Sequence, residues 1–257
     1  MYLVYMGESG DTGSSANDPA QQDLVYAGLV VHETQYIAMN GEYDAMHRRH
    51  FGCPPGSPEG PMGLKPADVY QGRGYFRSWS PTKRAELVQD CLNILMRREL
   101  PVVMSYVNKA EFNKAKANPN PQIPATMAGS PAEIAVDRFL FALNLYLDEM
   151  TLVTMNPDQM MQGEWPAQDY TLIVAGNGRT VEPDFMAKFL DSELEIPTPT
   201  VFEAFCYVKA EDSVCTQLAD FCAYFTRRWL QDPDGAHNYF DALREGGAIQ
   251  VIYQVQF

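Results

Sequence analysis

Three carboxylates and a glutamine hold most of the chemistry this chain can offer. Glu8 and Asp11 lie in the turn GESGDTGSS, Gly7 to Ser15, where an apolar run stops and glycines, acids and hydroxyls gather. Gln217 and Asp220 stand far downstream in TQLADFCAY, on one side of a predicted helix with Tyr224. Carboxylates brought to one spot can hold a hard divalent cation, or, as an Asp pair sharing a proton, activate water. Asp11-Thr12-Gly13 resembles the loop of the second chemistry. Yet no other Asp-Thr-Gly or Asp-Ser-Gly occurs, and Ser9 and Gly10 precede Asp11 where an apolar strand should run. A phosphate cradle is also a poor fit, because no Gly-Lys-Ser or Gly-Lys-Thr follows and no helix opens directly after the loop. Arg73 in QGRGYF and Arg179 in GNGR are candidate anion grips.

The elements that must position these groups are legible from periodicity. Residues 2–6 are uninterrupted apolar and aromatic, which suits a strand covered on both faces. LVYAGLVVH, Leu24 to His32, reads as a second central strand, with Gly28 marking a bulge or a close approach. A helix is predicted from Thr34 with Ile37, Met39, Tyr43 and Met46 inward, ending before the loop CPPGSPEGPMG. LKPADVYQGRGYF mixes loop with short extended structure. Ser80-Pro81 opens a helix to Arg98, and PVVMSYV is a strand. The stretch NKAKANPNPQIPATMAG reads as irregular. Ser130 and Glu133 form a capping box ahead of a strong helix to about Asp148. YTLIVA is a buried strand, Phe185 to Leu190 a short helix, and Thr198 to Val208 extended. Asp212 caps a final long helix, whose apolar stripe of Leu218, Cys222, Phe225 and Trp229 leaves Asp220 on its polar side. AIQVIYQVQF closes the chain as an alternating strand. Such alternation predicts an α/β fold, a mixed sheet with helices on its faces, with the loops after residues 6 and 175 side by side at its C-terminal edge.

Composition bounds the rest. A chain of 257 residues, 46% hydrophobic, is expected to fold as a single domain, 1–257, with loop insertions at about 52–80, 110–130 and 150–168. No membrane-length apolar run and no basic leader occur, so a cytoplasmic protein is expected. Five scattered cysteines and four histidines form no metal-binding spacing, and the thiols are expected to be reduced and mostly packed. The net charge of −14 opposes non-specific attachment to phosphate backbones. The segment from Asp44 to Lys116, however, holds 12 Lys or Arg against 7 Asp or Glu, so a basic face on an acidic body is expected to be available.

Four stretches then occur together and in order: GESGDTG, LKPADVYQGRGYF, LIVAGNGR and TQLADFCAY. Together they resemble the domain-of-unknown-function 3800 family, frequent in phages and mobile elements. That resemblance implies a ribonuclease-H-like fold and metal-dependent nucleic-acid chemistry. The positions that it makes acidic are here Gly7, Gly63, Gly176 and Asn177. Of its polar set Glu8, Asp11, Gln217 and Asp220 remain, with Ser9 and Lys65 beside them. Glu8, Asp11 and Asp220 are therefore the candidate catalytic and Mg²⁺ or Mn²⁺ ligands, and Ser9, Lys65, Arg73, Arg179 and Gln217 the candidate substrate contacts. Two cations about 4 Å apart need several carboxylates to balance them. The expectation is a decayed centre acting as a binding or regulatory module on nucleic acid or a protein, in a phage or defence context. The alternative is a metal-dependent nuclease or phosphodiesterase. A third reading uses the acidic surface to meet a basic partner. Mn²⁺ binding restored in a Gly7→Asp, Gly176→Asp form would identify the ancestral site.

Overall fold

In the computed structural model, residues 1–11, 18, 21–117, 129–154, 171–176, 202–235 and 237–255 are described. Six strands form one mixed sheet: β1 (Tyr2–Ser9), β2 (Asp23–His32), β3 (Val102–Asn108), β4 (Thr171–Gly176), β5 (Phe202–Val208) and β6 (Ile249–Gln254). Their order is β5-β4-β1-β2-β3-β6. β2 runs antiparallel to both of its neighbours, while β1, β4 and β5 are mutually parallel and β6 is parallel to β3. This is the mixed α/β sheet with helices on its faces that the alternation predicted, with β1 and β4 adjacent inside it. Their parallel register ends at Met6 opposite Ala175, so Gly7 and Gly176 do share the C-terminal edge.

Alternation along the strands sorts two cores. Leu3, Tyr5, Val25, Ala27, Leu29, Val102 and Met104 face one side, and Val4, Met6, Leu24, Tyr26, Val30, Val103 and Val107 the other. The second face is covered by α5 (Pro131–Thr154), whose capping box forms as expected: Ser130 N donates to Glu133 Oε2 at 2.6 Å and Glu133 N to Ser130 Oγ at 3.3 Å. The Phe139 ring of α5 fills the space in front of Gly28, which marks a close approach and no bulge. The first face is covered by α6 (Val214–Gln231) together with α1 (Glu33–Phe51), α2 (Pro66–Gln71) and α3 (Pro81–Arg97). α6 crosses the sheet from β1, where it lies on Gly7, to β3, where Thr226 meets Met104.

Several local expectations change. Ile37 is 82% exposed while Met39, Tyr43 and Met46 are buried, because Ile37 lies about 200° round α1 from Met39, on the opposite face. The stretch after residue 64 is α2 and a 3₁₀ turn (Gly74–Ser78), with Leu64, Val69 and Phe76 in the core, where extended structure was expected. Pro66 at the first turn and Gly72 in the left-handed conformation delimit α2 as a proper helix. A short α4 (Lys109–Ala117) covers the start of the stretch read as irregular. Ser213, one residue after Asp212, caps α6 by accepting from Thr216 N at 3.2 Å. A further helix, α7 (His237–Glu245), had no counterpart in the sequence reading; Trp229 of α6 stacks on its Phe240 at 4.4 Å. Of the cysteines only Cys206 is exposed, and all five are free. Among the described residues no helix is long and apolar enough to cross a membrane.

Candidate functional site

Gly7 sits in β1 opposite Ala27, on the face that α6 covers. A β-carbon there would overlap Asp220 N and Ala219 C and come to 2.8 Å from Ala219 O. Those atoms are helix backbone, so no change of rotamer can clear them. The resemblance would place an aspartate at this point, and the fold places a helix there instead. Position 63 repeats the theme: a β-carbon on Gly63 would lie 3.0 Å from both Cα and Cβ of Glu211. The packing therefore leaves no room for a carboxylate at position 7.

The close seat brings Asp220 to the strand. Its Oδ1 accepts a hydrogen bond from Glu8 N at 3.0 Å, two residues beyond the last β1–β4 pair. Asp220 is half-buried, and not on a solvated face as the stripe had suggested, because α6 is seated on β1 at Gly7 and turns this residue to the Glu8 amide. Burial, and then the nearby Glu8 charge, push its carboxyl up to about 7, against the opposing pull of the amide hydrogen bond. Phe221 and Tyr224, read as a cleft wall, are core residues. Glu8 lies opposite Tyr26 and follows Met6 onto the α5 face. Glu8 and Asp220 thus approach the strand end from opposite sides of the sheet.

Ser9 is buried, and its hydroxyl accepts from Arg227 Nε at 2.8 Å. Asp11 is exposed, yet its carbonyl accepts from Lys109 Nζ at 2.8 Å and its Oδ2 lies 3.9 Å from the same ammonium. The Lys109 side chain is wholly buried, and burial lowers its pKa while Asp11 works against that shift. Buried Asp23 accepts from Asn108 Nδ2 at 2.9 Å; burial raises its pKa against the Asn108 bond and Arg227. Sequence reasoning passed over Lys109, Arg227 and Asp23. Lys109 and Asp23 flank the ends of apolar strands, which is a usable signal, whereas Arg227 is brought to Ser9 only by the crossing of α6.

The other candidates fall elsewhere. Gln217 is buried: its Oε1 accepts from Tyr43 hydroxyl at 2.8 Å and Leu64 N at 2.7 Å, and its Nε2 donates to Glu211 O at 3.1 Å. It ties α1, the residue 63–64 turn and the 3₁₀ turn Ala210–Asp212 to α6. Lys65 and Arg73 are exposed, at the starts of α2 and the Gly74–Ser78 turn. Asn177, Arg179, Thr12 to Ser15 and the short helix expected at Phe185 to Leu190 lie outside the described residues.

Among the described residues no three His, Cys, Asp or Glu side chains converge as metal ligands. With Asp220 committed to an amide, Glu8 on the far face and Asp11 against Lys109, this donor set does not fit a two-cation centre.

Strand order and flanking helices define the chain as a mixed α/β protein, one six-stranded sheet with helices on both faces. No family model matches it, and no curated protein matches it in sequence. Among solved structures it is similar to the ribonuclease H2 from Pyrococcus horikoshii OT3, with a TM-score of 0.40 and 12% identity over 96% of this chain and 78% of that one. At that TM-score the likeness gives no residue here a role.

Proposed function

We propose that this chain is a ribonuclease-H-like module that binds nucleic acid without cleaving it. The backbone of α6 seated on Gly7 carries the reading, because it fills the space that a carboxylate of a nuclease-type centre would need. The suggested ligand rests on a separate feature, a basic and aromatic face where α1, the Gly74–Ser78 turn and α3 meet. Arg73, Arg77, Lys83 and Tyr75 are exposed there, and Lys83 Nζ lies 3.7 Å from the centroid of the Trp79 ring. Phe51 packs on both Tyr75 and Trp79, at 5.7 and 5.2 Å, which holds the rings in place. Cations beside ring faces suit single-stranded nucleic acid, whose phosphates and bases they engage without reading sequence. The resemblance supports a phage or defence setting.

The test pairs a cleavage assay with a binding assay on one labelled single-stranded oligonucleotide. Binding is expected to weaken with salt at a logarithmic slope of about −2 for three phosphate contacts, and to fall at least about tenfold in Arg73→Glu/Arg77→Glu. No cleavage is expected with Mg²⁺ or Mn²⁺. Metal-dependent cleavage that Asp220→Ala abolishes would instead establish the nuclease reading built on Glu8, Asp11 and Asp220.

A further inference from the structure

The two outer strands of the sheet are guarded differently. β5 carries Glu203 within its length. Around β6 the run GGAIQVIYQVQF, residues 246–257, holds no charge and no proline. Outer strands present unpaired backbone groups, which natural sheets blunt with lysine, proline or a bulge. The irregularity of β6 lies at its start, between the partners of Val102 and Val103, and leaves residues 251–254 in regular register with β3. Val255 N donates to Tyr106 O at 3.1 Å, so alternation turns the N–H and C=O of Ile252 and Gln254 away from β3. Among the described residues no strand pairs with that side.

The residues along this edge match a second copy of themselves. Gln250, Ile252 and Gln254 are exposed, while Val251 and Tyr253 are half-buried on the α5 face. An antiparallel pair centred on Ile252 sets Ile252 on Ile252, Gln250 on Gln254 and Val251 on Tyr253. A centre one residue either way would oppose Ile252 with a glutamine. Aliphatic pairs and aromatic with β-branched pairs are favourable across strands, and the outward N–H and C=O of the two Ile252 residues can bond each other. Charge favours the same occupant. Two chains of net charge −14 repel wherever acidic surfaces meet, and this uncharged edge lets them approach. Leu145 of α5, 50% exposed, lies one turn from Phe141, whose ring packs on Tyr253 at 5.9 Å, and it widens the apolar border.

We propose that β6 is a self-association edge: two copies of this chain pair their β6 strands antiparallel about Ile252, joining two six-stranded sheets across a two-fold axis. One strand pair buries less than the roughly 1,200 Å² of a standard interface, so the dimer is expected to dissociate on dilution. The inference goes beyond the nucleic-acid reading and uses none of its residues.

Sedimentation equilibrium of the full chain, from micromolar to submillimolar concentration, is expected to show monomer and dimer in exchange. Ile252→Lys sets like charges together at the axis and is expected to weaken dimerisation at least about tenfold, with the urea midpoint of the dilute protein unchanged. Register is read with charge at the two exposed glutamines. Gln250→Lys/Gln254→Lys and Gln250→Glu/Gln254→Glu are each expected to be monomeric alone and to form a one-to-one dimer when mixed. That pair of variants decides the matter if Ile252→Lys does not fold. A wild type that stays monomeric, including one whose edge takes a strand from another protein, overturns the proposal. So does a dimer that survives in a folded Ile252→Lys, or charged variants that dimerise alone or fail to pair when mixed.

Discussion

Each face of the sheet carries a long helix seated on a glycine, and the two seats differ in kind. On the α5 side, Gly28 makes room for the Phe139 ring, whose Cε2 is 2.6 Å from where a β-carbon would be. On the α6 side, Gly7 makes room for the peptide backbone at Ala219 and Asp220. The first seat is an apolar packing choice that another side chain can renegotiate. The second fixes the helix itself at the edge where function is expected. The fastenings differ accordingly. α5 is held by the Ser105 hydroxyl donating to Ala135 O at 2.6 Å, and α6 by Gln217 and Asp220, which reach three other segments and β1.

Breaking the stiffer seat should have the largest effect. Gly7→Asp is expected to cost about 3 kcal/mol or more in urea denaturation, with no companion substitution in α6 restoring it, because the opposing atoms are backbone. A Gly7→Asp protein as stable as wild type would show that α6 does not rest there.

Gln217→Ala strips the acceptor from two buried donors, the Tyr43 hydroxyl and Leu64 N, and is expected to cost about 3 kcal/mol. Ser105→Ala on the other face removes a single donor and is expected to cost about 1 kcal/mol. Equal losses in parallel denaturation curves would erase the contrast between the faces.

Gly28→Ala is expected to cost about 2 kcal/mol on its own and to regain at least half of that when combined with Phe139→Leu, which removes the ring from the contested space. Failure of the double variant to recover would make this seat as rigid as the one at Gly7.

A further expected effect is one of pH. Folded Asp220 titrates near 7 and the unfolded residue near 3.8, so between these values the folded chain keeps a proton that the unfolded chain has released. This group therefore makes stability fall as pH rises from about 4 to about 7, with no further loss above that. Asp220→Asn keeps an acceptor for Glu8 N and should remove that part of the slope. Urea midpoints across this range check it, and an unchanged slope in the variant would place the titration elsewhere.

Strand positions were readable because burial on both faces leaves an unbroken apolar run, as in residues 2–6 and YTLIVA, and because β6 alternates. The helix caps at Ser80 and Ser130 were equally plain, since each hydroxyl satisfies an amide within three residues of its own chain. α2 was harder, because six residues carry too few turns to show a period, and its stability comes from Val69 packing in the core. α7 is similarly short, and it is held by Phe240 stacked on Trp229 of the preceding helix and by Leu243 in the core.

By itself the sequence determined the mixed α/β class, the strands, and the absence of acids at positions 7, 63 and 176, because local pattern and residue identity are properties of the chain alone. It also placed Glu8 across from position 7 by simple alternation. Only the tertiary structure decided what the glycines are for, that Asp220 binds an amide, that Gln217 is a clamp, and that Lys109 lies buried against Asp11. Each of those depends on where α6 crosses the sheet or on how far a side chain spans neighbouring strands. Contacts between residues so far apart in sequence leave no periodic trace in the sequence.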